Sequence, residues 1–322
     1  MIRHRKRSAI IASIRKVDAC RVRQDLFHLC KDPLPFRKTN FTLLGHPQCT
    51  LYEADDFISN QLERLGWIVS REEARVQACR CDKSKPVSHQ YAPPRPEDPW
   101  YTAYNVYGEK PGLDSNEDIL LLLAHKDSQS WVDSPGAYDN AVGVAALLEL
   151  ARLLSDYPNR KTLRFLFCNE EHTPWTSVVA AQAAHQRRDR FATILNVDSL
   201  GGKSLDAIGR GLKTNAICYT HEAGQPFAEH LVELNELYGI GLKQTIHRHE
   251  KPRNDDGSFV KEGFEHAIAC HGSIPYADPN YHMETDIPEH VDEINVRMAI
   301  QLILAFVLSL DSLNSSCQPP IL

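Results

Sequence analysis

Three apolar runs in this chain each stop on side chains that can hold a metal ion. LLLLAHKDS brings His125 and Asp127 to the end of the first, LRFLFCNEE brings Glu170 and Glu171 to the second, and TILNVDS brings Asp198 to the third. A fourth segment, GAYDNAVG, carries Asp139 at the entrance to a helix, where a carboxylate gains from the helix N-terminus. Singly, each has an ordinary role: Asp139 as a helix cap, Glu170 and Glu171 as an exposed pair, His125 as a core histidine. Together they put five carboxylates around one crevice, where they repel one another unless something positive is present. A divalent cation is the simplest such partner. Imidazole mixed with carboxylate suits zinc, with manganese or cobalt as alternatives.

The elements that must position these groups can be read from periodicity. Phe57, Ile58, Leu62 and Leu65 recur at helical spacing, and Gly66 ends that helix. Pro86, Pro93, Pro94, Pro96 and Pro99 make residues 82–99 read as a surface loop or linker. Strands are expected at Thr102–Tyr107, Ile119–Ala124, Thr162–Cys168, Ala192–Val197 and Ala267–Cys270. Helices are expected over Asp139–Leu154, 176–187, Phe227–Tyr238 and 291–310. Strands alternating with helices imply a three-layer α/β fold, with a largely parallel mixed sheet and helices on both faces. Ligands of such sheets collect outside the carboxyl ends of the strands, so side chains some 75 residues apart can share one crevice.

Length and composition bound the rest. The chain has 322 residues, enough to bury a large core without a disulfide framework. Its 36 basic and 42 acidic residues leave a net charge of −6, which offers no general attraction to nucleic acid or to anionic membrane. The apolar stretches at Ile119–Ala124 and Met298–Leu310 fall short of the roughly 20 residues of a spanning helix. The basic start, MIRHRKRSAIIASIRK, has no small-residue cleavage site, so no secretory signal is read. Nine cysteines without regular spacing read as reduced thiols and a cytoplasmic setting. Residues 1–50 form an extension of uncertain structure ahead of a single catalytic domain over 51–322. His247, His249 and Glu250 read as a solvated loop, and His266, His271 and His290 rank below His282, which alone has an aspartate four residues on. HExxH, GxSxG and a complete GxGxxG are missing from the sequence, which leaves zincin, serine hydrolase and dinucleotide readings without support.

AHKDS, SPGAYDNAVGVAALLELAR, TLRFLFCNEE and LNVDSLGG, in that order, resemble the zinc aminopeptidase family that includes bacterial leucyl aminopeptidases and glutaminyl cyclases. NDDGSF (254–259) resembles that family's Ser-Asp-His-x-x-Phe region, and YHMETD (281–286) its closing His-x-x-x-Asp. The resemblance covers roughly residues 50–310. It implies two zinc ions: one held by His125 and Asp198, the other by Glu171 and His282, with Asp139 bridging. It implies Glu170 as general base, Asp127 as the carboxylate orienting His125, Asp286 in the same service to His282, and Tyr281 as a hydrogen-bond donor to the developing oxyanion. The implied activity is hydrolysis of the first peptide bond of a substrate with a free amino terminus, by water activated between the two ions. A one-zinc glutaminyl cyclase, a carboxypeptidase or deacylase, and a non-catalytic scaffold are the alternatives. Asn140 argues against the cyclase, in which serine tends to follow the bridging aspartate. Three positions depart from the pattern: Lys126 where a bulky residue is expected, His172 where a small residue or proline is common, and Asp256 in place of the motif's histidine.

Overall fold

The computed structural model describes residues 2–114 and 118–312. Its strands are β1 (Ile68–Ala78), β2 (Arg80–Cys81), β3 (Tyr91–Ala92), β4 (Tyr101–Lys110), β5 (Asp118–His125), β6 (Thr162–Cys168), β7 (His172–Thr173), β8 (Arg190–Val197), β9 (Thr214–Tyr219), β10 (Lys243–Arg248) and β11 (Ala267–His271). Its helices are α1 (Ile2–Ile14), α2 (Ala19–Cys30), α3 (Thr50–Arg64), α4 (Val142–Leu154), α5 (Thr176–Arg187), α6 (Leu205–Gly209), α7 (Gln225–Tyr238), α8 (Asn254–Lys261) and α9 (Glu293–Asp311).

Nine strands form one mixed sheet in the order β10-β9-β11-β8-β5-β6-β4-β1-β7. Its centre is parallel: β5 pairs with both β6 and β8, and β8 with β11. Antiparallel pairs of β4 with β6 and of β9 with β11 flank that centre. Every residue of β5 is buried, as expected of a strand covered on both faces. Its pleat divides the core: Leu120, Leu122 and Ala124 join the larger apolar cluster with Leu147 of α4 and Ile303 of α9, whereas Leu121 and Leu123 join Ala180 and Ala184 of α5 and Phe259 of α8. Helices therefore cover both faces of a three-layer α/β fold. The sheet's parallel centre sends four neighbouring carboxyl ends, at His125, Cys168, Val197 and His271, toward one side.

Several expectations change. The first fifty residues contain two helices, and α2 buries Val22, Leu26, Leu29 and Cys30 in the same cluster as the central sheet. Burying a leucine of this kind is worth about 2 kcal/mol, so α2 is integral to the core. The helix starts cleanly because the Asp18 carboxylate accepts from the amide of Cys20 at 2.9 Å. The proline-rich stretch is no linker: β3, inside it, pairs antiparallel with β2 just before it. His247 lies on β10, at the edge of the sheet, and not in a loop. Helix α9 is, at 19 residues, long and apolar enough to cross a membrane, but most of it is buried, packed against α7, α1 and α4.

Candidate metal centre

Asp139 sits at the middle of the crevice. His125 Nε2 lies 3.1 Å from its Oδ1, and His282 Nε2 lies 3.0 Å from its Oδ2. Asp198 Oδ1 approaches the same nitrogen of His125 at 3.5 Å, and Glu171 Oε1 that of His282 at 3.6 Å. His125, Glu170 and Asp198 can converge on one ion, as can His125, Asp139 and Glu171. All six of these side chains lie at the carboxyl side of the sheet. His125 ends β5, Glu170 and Glu171 follow β6, and Asp198 follows β8. Asp139 precedes α4, and His282 comes from the segment between β11 and α9.

Asp139 is not a helix cap. Its backbone is non-helical, at φ −120° and ψ 82°, and α4 begins three residues later. Asn140 takes the capping role: its Oδ1 accepts from the amides of Gly143 at 3.0 Å and Ser199 at 3.1 Å, while its Nδ2 donates to the Val197 carbonyl. The side chain of Asp139 is thereby released toward the histidines, with Gln129 Nε2 donating to its Oδ2 at 2.8 Å. Ser199, Asn254 and His282 all adopt left-handed backbone (φ 52°, 58° and 58°), an uncommon concentration for residues other than glycine.

The supporting carboxylates divide their work differently from expectation. Asp127 Oδ1 lies 3.4 Å from His125 Nδ1, and the same side chain accepts from the amides of Glu170 and Glu171 and from His172 Nδ1 at 2.8 Å. His172, a departure from the family pattern, thus anchors Asp127. Asp286 does not serve His282; it accepts from the amides of Tyr138 and Asp139 and fixes the Asp139 loop. Sequence reasoning also missed a relay behind Asp198. Tyr276 donates its hydroxyl to Asp198 Oδ2 at 3.0 Å, His271 Nδ1 lies 3.3 Å from the same oxygen, and Asn254 Nδ2 donates to the Tyr276 hydroxyl. The available signal was the position of His271 at the end of a parallel strand, the same signal that marked His125. Lys126 points away from the crevice as alternation requires, with Nζ 2.9 Å from Asp55 Oδ1 and 2.8 Å from Asn169 Oδ1. Tyr281 lines the crevice and stacks on His282 with ring centres 3.8 Å apart.

The electrostatics call for positive charge. Burial would lower both site imidazoles, yet carboxylate neighbours raise His125 and His282 well above the ordinary histidine range. Burial also works against ionised Asp198, but hydrogen bonds from His125 and His271 hold it below the usual carboxylate range. Glu171 is pushed up to about 7 by burial and by Asp139. Glu170 is raised further, by burial and by the carboxylate of Asp255. Among the described residues its Oε2 is buried without a hydrogen-bond partner. A cation in this crevice would relieve the repulsion among these carboxylates.

The profile of Peptidase family M28 matches residues 105–307, more than half of the chain and the span that holds His125, Asp139, Glu170, Glu171, Asp198 and His282. The chain belongs to peptidase family M28. Among its relatives, aminopeptidase YwaD of Bacillus subtilis is 26% identical over 213 residues, which make up 64% of this chain and 44% of that protein. A probable zinc metalloprotease of Pyrenophora tritici-repentis is 29% identical over 47% of this chain and 35% of its own length, so these alignments span less than half of either relative. The fold is shared with the LapA aminopeptidase of Legionella pneumophila (TM-score 0.72, 16% identity, 95% of this chain and 74% of that one). It is equally shared with a glutaminyl cyclase of Bacteroides thetaiotaomicron (TM-score 0.67, 16% identity, 91% and 98%).

Proposed function

We propose that this chain is a zinc-dependent aminopeptidase holding two zinc ions: one on His125 and Asp198, the other on Glu171 and His282, with Asp139 between them. The observation that carries the reading is Asp139, clasped by one imidazole on each oxygen at 3.1 and 3.0 Å. Two ligand atoms about 2.0–2.1 Å from a tetrahedral zinc lie about 3.3 Å from each other. The four separations in the crevice, 3.0 to 3.6 Å, bracket that value. Two Zn²⁺ carry +4 against −3 from Asp139, Glu171 and Asp198, so a single hydroxide would bring the centre to neutrality. The M28 relatives named aminopeptidases lend further support.

When bound, zinc polarises the substrate carbonyl and lowers the pKa of water toward neutrality. The chain's own part is proton handling and positioning. Hydrolysis puts the water hydroxyl on the carbonyl carbon and its proton on the departing nitrogen. Glu170 Oε2, without a protein partner among the described residues, is free to carry that proton. Asp127 holds the Glu170 and Glu171 amides and thereby the direction of both side chains. Tyr281, on the crevice wall, is positioned to donate to the carbonyl oxygen.

The test is release of p-nitroaniline from leucyl-p-nitroanilide and from its N-acetylated form, with zinc supplied. Turnover of the free amine alone is expected. Turnover of both would indicate an endopeptidase or deacylase. Silence on both, with glutaminyl peptides cyclised instead, would overturn the reading in favour of the cyclase.

A further inference from the structure

The two histidines that clasp Asp139 are held from behind in different ways. His125 presents Nδ1 to a carboxylate, that of Asp127. His282 presents Nδ1 to the backbone carbonyl of Ser88, 2.8 Å away. A carbonyl only accepts, so His282 carries its proton on Nδ1 and turns an unprotonated Nε2 toward Asp139 and Glu171 whenever it is neutral. Ser88 lies in the turn Val87–His89, between β2 and β3, in the stretch that prolines mark as a loop.

That hairpin is built to stay where it is. Arg80 at its base pairs with Asp98, with Nε 2.5 Å from Oδ2. Lys85 Nζ donates to the Tyr91 carbonyl at 2.7 Å and closes the turn. Tyr91 meets the His282 ring edge-on with centres 6.0 Å apart, and Trp131 does so at 5.1 Å. At the other end, the amide of Cys79 donates to Ser130 Oγ, which in turn donates to the Glu171 carbonyl at 2.6 Å. The hairpin and its root therefore touch the supports of Glu171 and of His282. Among the described residues, the polar contacts of His125 and Asp198 all go elsewhere.

We propose that the 79–93 hairpin is a positioning clamp for one of the two metal positions, that of Glu171 and His282, and leaves the His125–Asp198 position to the sheet. The inference rests on the two-zinc reading above. A carbonyl raises imidazole basicity less than a carboxylate does, so the clamped position is the weaker zinc site in the native protein. The hairpin also contributes Tyr91 to a cavity of about 450 Å³, lined as well by Trp131, Trp175 and Tyr281, so the clamp doubles as a wall of the substrate room.

Two variants separate these roles. Replacing Asp82–Gln90 by Asn-Gly joins Cys81 to Tyr91 through a two-residue turn, which keeps the strand pair and Tyr91 but removes Ser88. Tyr91→Ala keeps Ser88 and removes the wall. The full-length apo proteins are titrated with zinc by calorimetry, and their thermal unfolding confirms the fold. The turn exchange should leave one site unchanged and weaken the other 10- to 100-fold, the usual effect of losing an outer partner of a metal-binding histidine. Tyr91→Ala should keep both affinities and raise KM for large N-terminal side chains. Two unchanged sites, or two sites weakened alike, in the folded turn-exchange variant would overturn the clamp. If the native chain binds one ion only, the two-metal reading fails. The clamp then stands if the exchange weakens that ion and falls if it does not.

Discussion

Lys126 and Asp55 form an ion pair with neither side chain exposed, the ammonium also bonding to Asn169 Oδ1 beside the proposed base. At 2.9 Å and an effective dielectric of 20, their attraction is roughly 6 kcal/mol. Desolvation offsets much of this: burial lifts Asp55 to about 6 even with Lys126 beside it. The pair's net worth is therefore small, while the cost of breaking it from one side is large. Lys126→Met or Asp55→Val alone strands a buried charge, at about 3–5 kcal/mol. The double variant strands none and orphans only Asn169 Oδ1, at about 1–3 kcal/mol. With about 2.1 cal/mol/K of unfolding entropy per residue, each single change should lower Tm by roughly 4–7 °C and the double change by less than either. Calorimetric unfolding of the four proteins in matched buffer gives the coupling directly. Additive losses in the double variant would refute the reasoning, because they would mean that the two charges do not depend on each other.

Glu170→Gln should bind zinc as the native chain does and lose about 10²–10⁴-fold in kcat, measured under saturating substrate; retained turnover would remove Glu170 from its role. A Cβ on Gly143 would meet Asn140 Oδ1 at 2.4 Å and the Val197 carbonyl at 2.5 Å. Gly143→Ala should thus destabilise by about 1–3 kcal/mol, although alanine is the better helix former, and denaturant unfolding will show which effect wins. Asp25 on α2 is pushed up to about 6 by burial, so the folded state binds its proton more tightly than the unfolded one. Its contribution to stability falls as pH rises from about 4 to 6, and Asp25→Asn should gain on the order of 1–2 kcal/mol at pH 7 and nothing near pH 4. An equal gain at both pH values would point to packing.

The strand ends at the centre of the sheet were legible because a buried parallel strand is a continuous apolar run, and the residues just beyond such a run stand at the crevice. That covered His125, Glu170, Glu171 and Asp198. Asp139 was found for a partly mistaken reason, since the neighbouring Asn140 does the capping. His271 was ranked below His282 because the pairing that sets the strand before it beside β8, and so marks it as His125 was marked, is a long-range one. The Ser88 contact was unreadable in principle: a backbone carbonyl has no residue signature, and five prolines made its hairpin look like an unstructured connection. The second helix of the first fifty residues was hidden by Arg21 and Arg23, which are exposed while Leu26 and Leu29 carry the packing.

The centre draws on a long reach of the chain, and this bears on how it comes into being on the ribosome. His282 is translated roughly 160 residues after His125, which at 5–20 residues per second is about 8–32 s. Through that interval the nascent chain carries its first histidine and most of its acidic groups with no second imidazole to complete the clasp on Asp139. Arg37 is made long before any of them. Its fully buried guanidinium donates to the carbonyls of Leu29, Lys126, Pro135 and Gly136, so it joins the amino-terminal helices to both walls of the crevice. On the two-zinc reading proposed above, capture of the second metal waits on the segment after β11, and the first position too is finished late, because Asp198 is backed by Tyr276 and His271 and the Asp139 loop by Asp286.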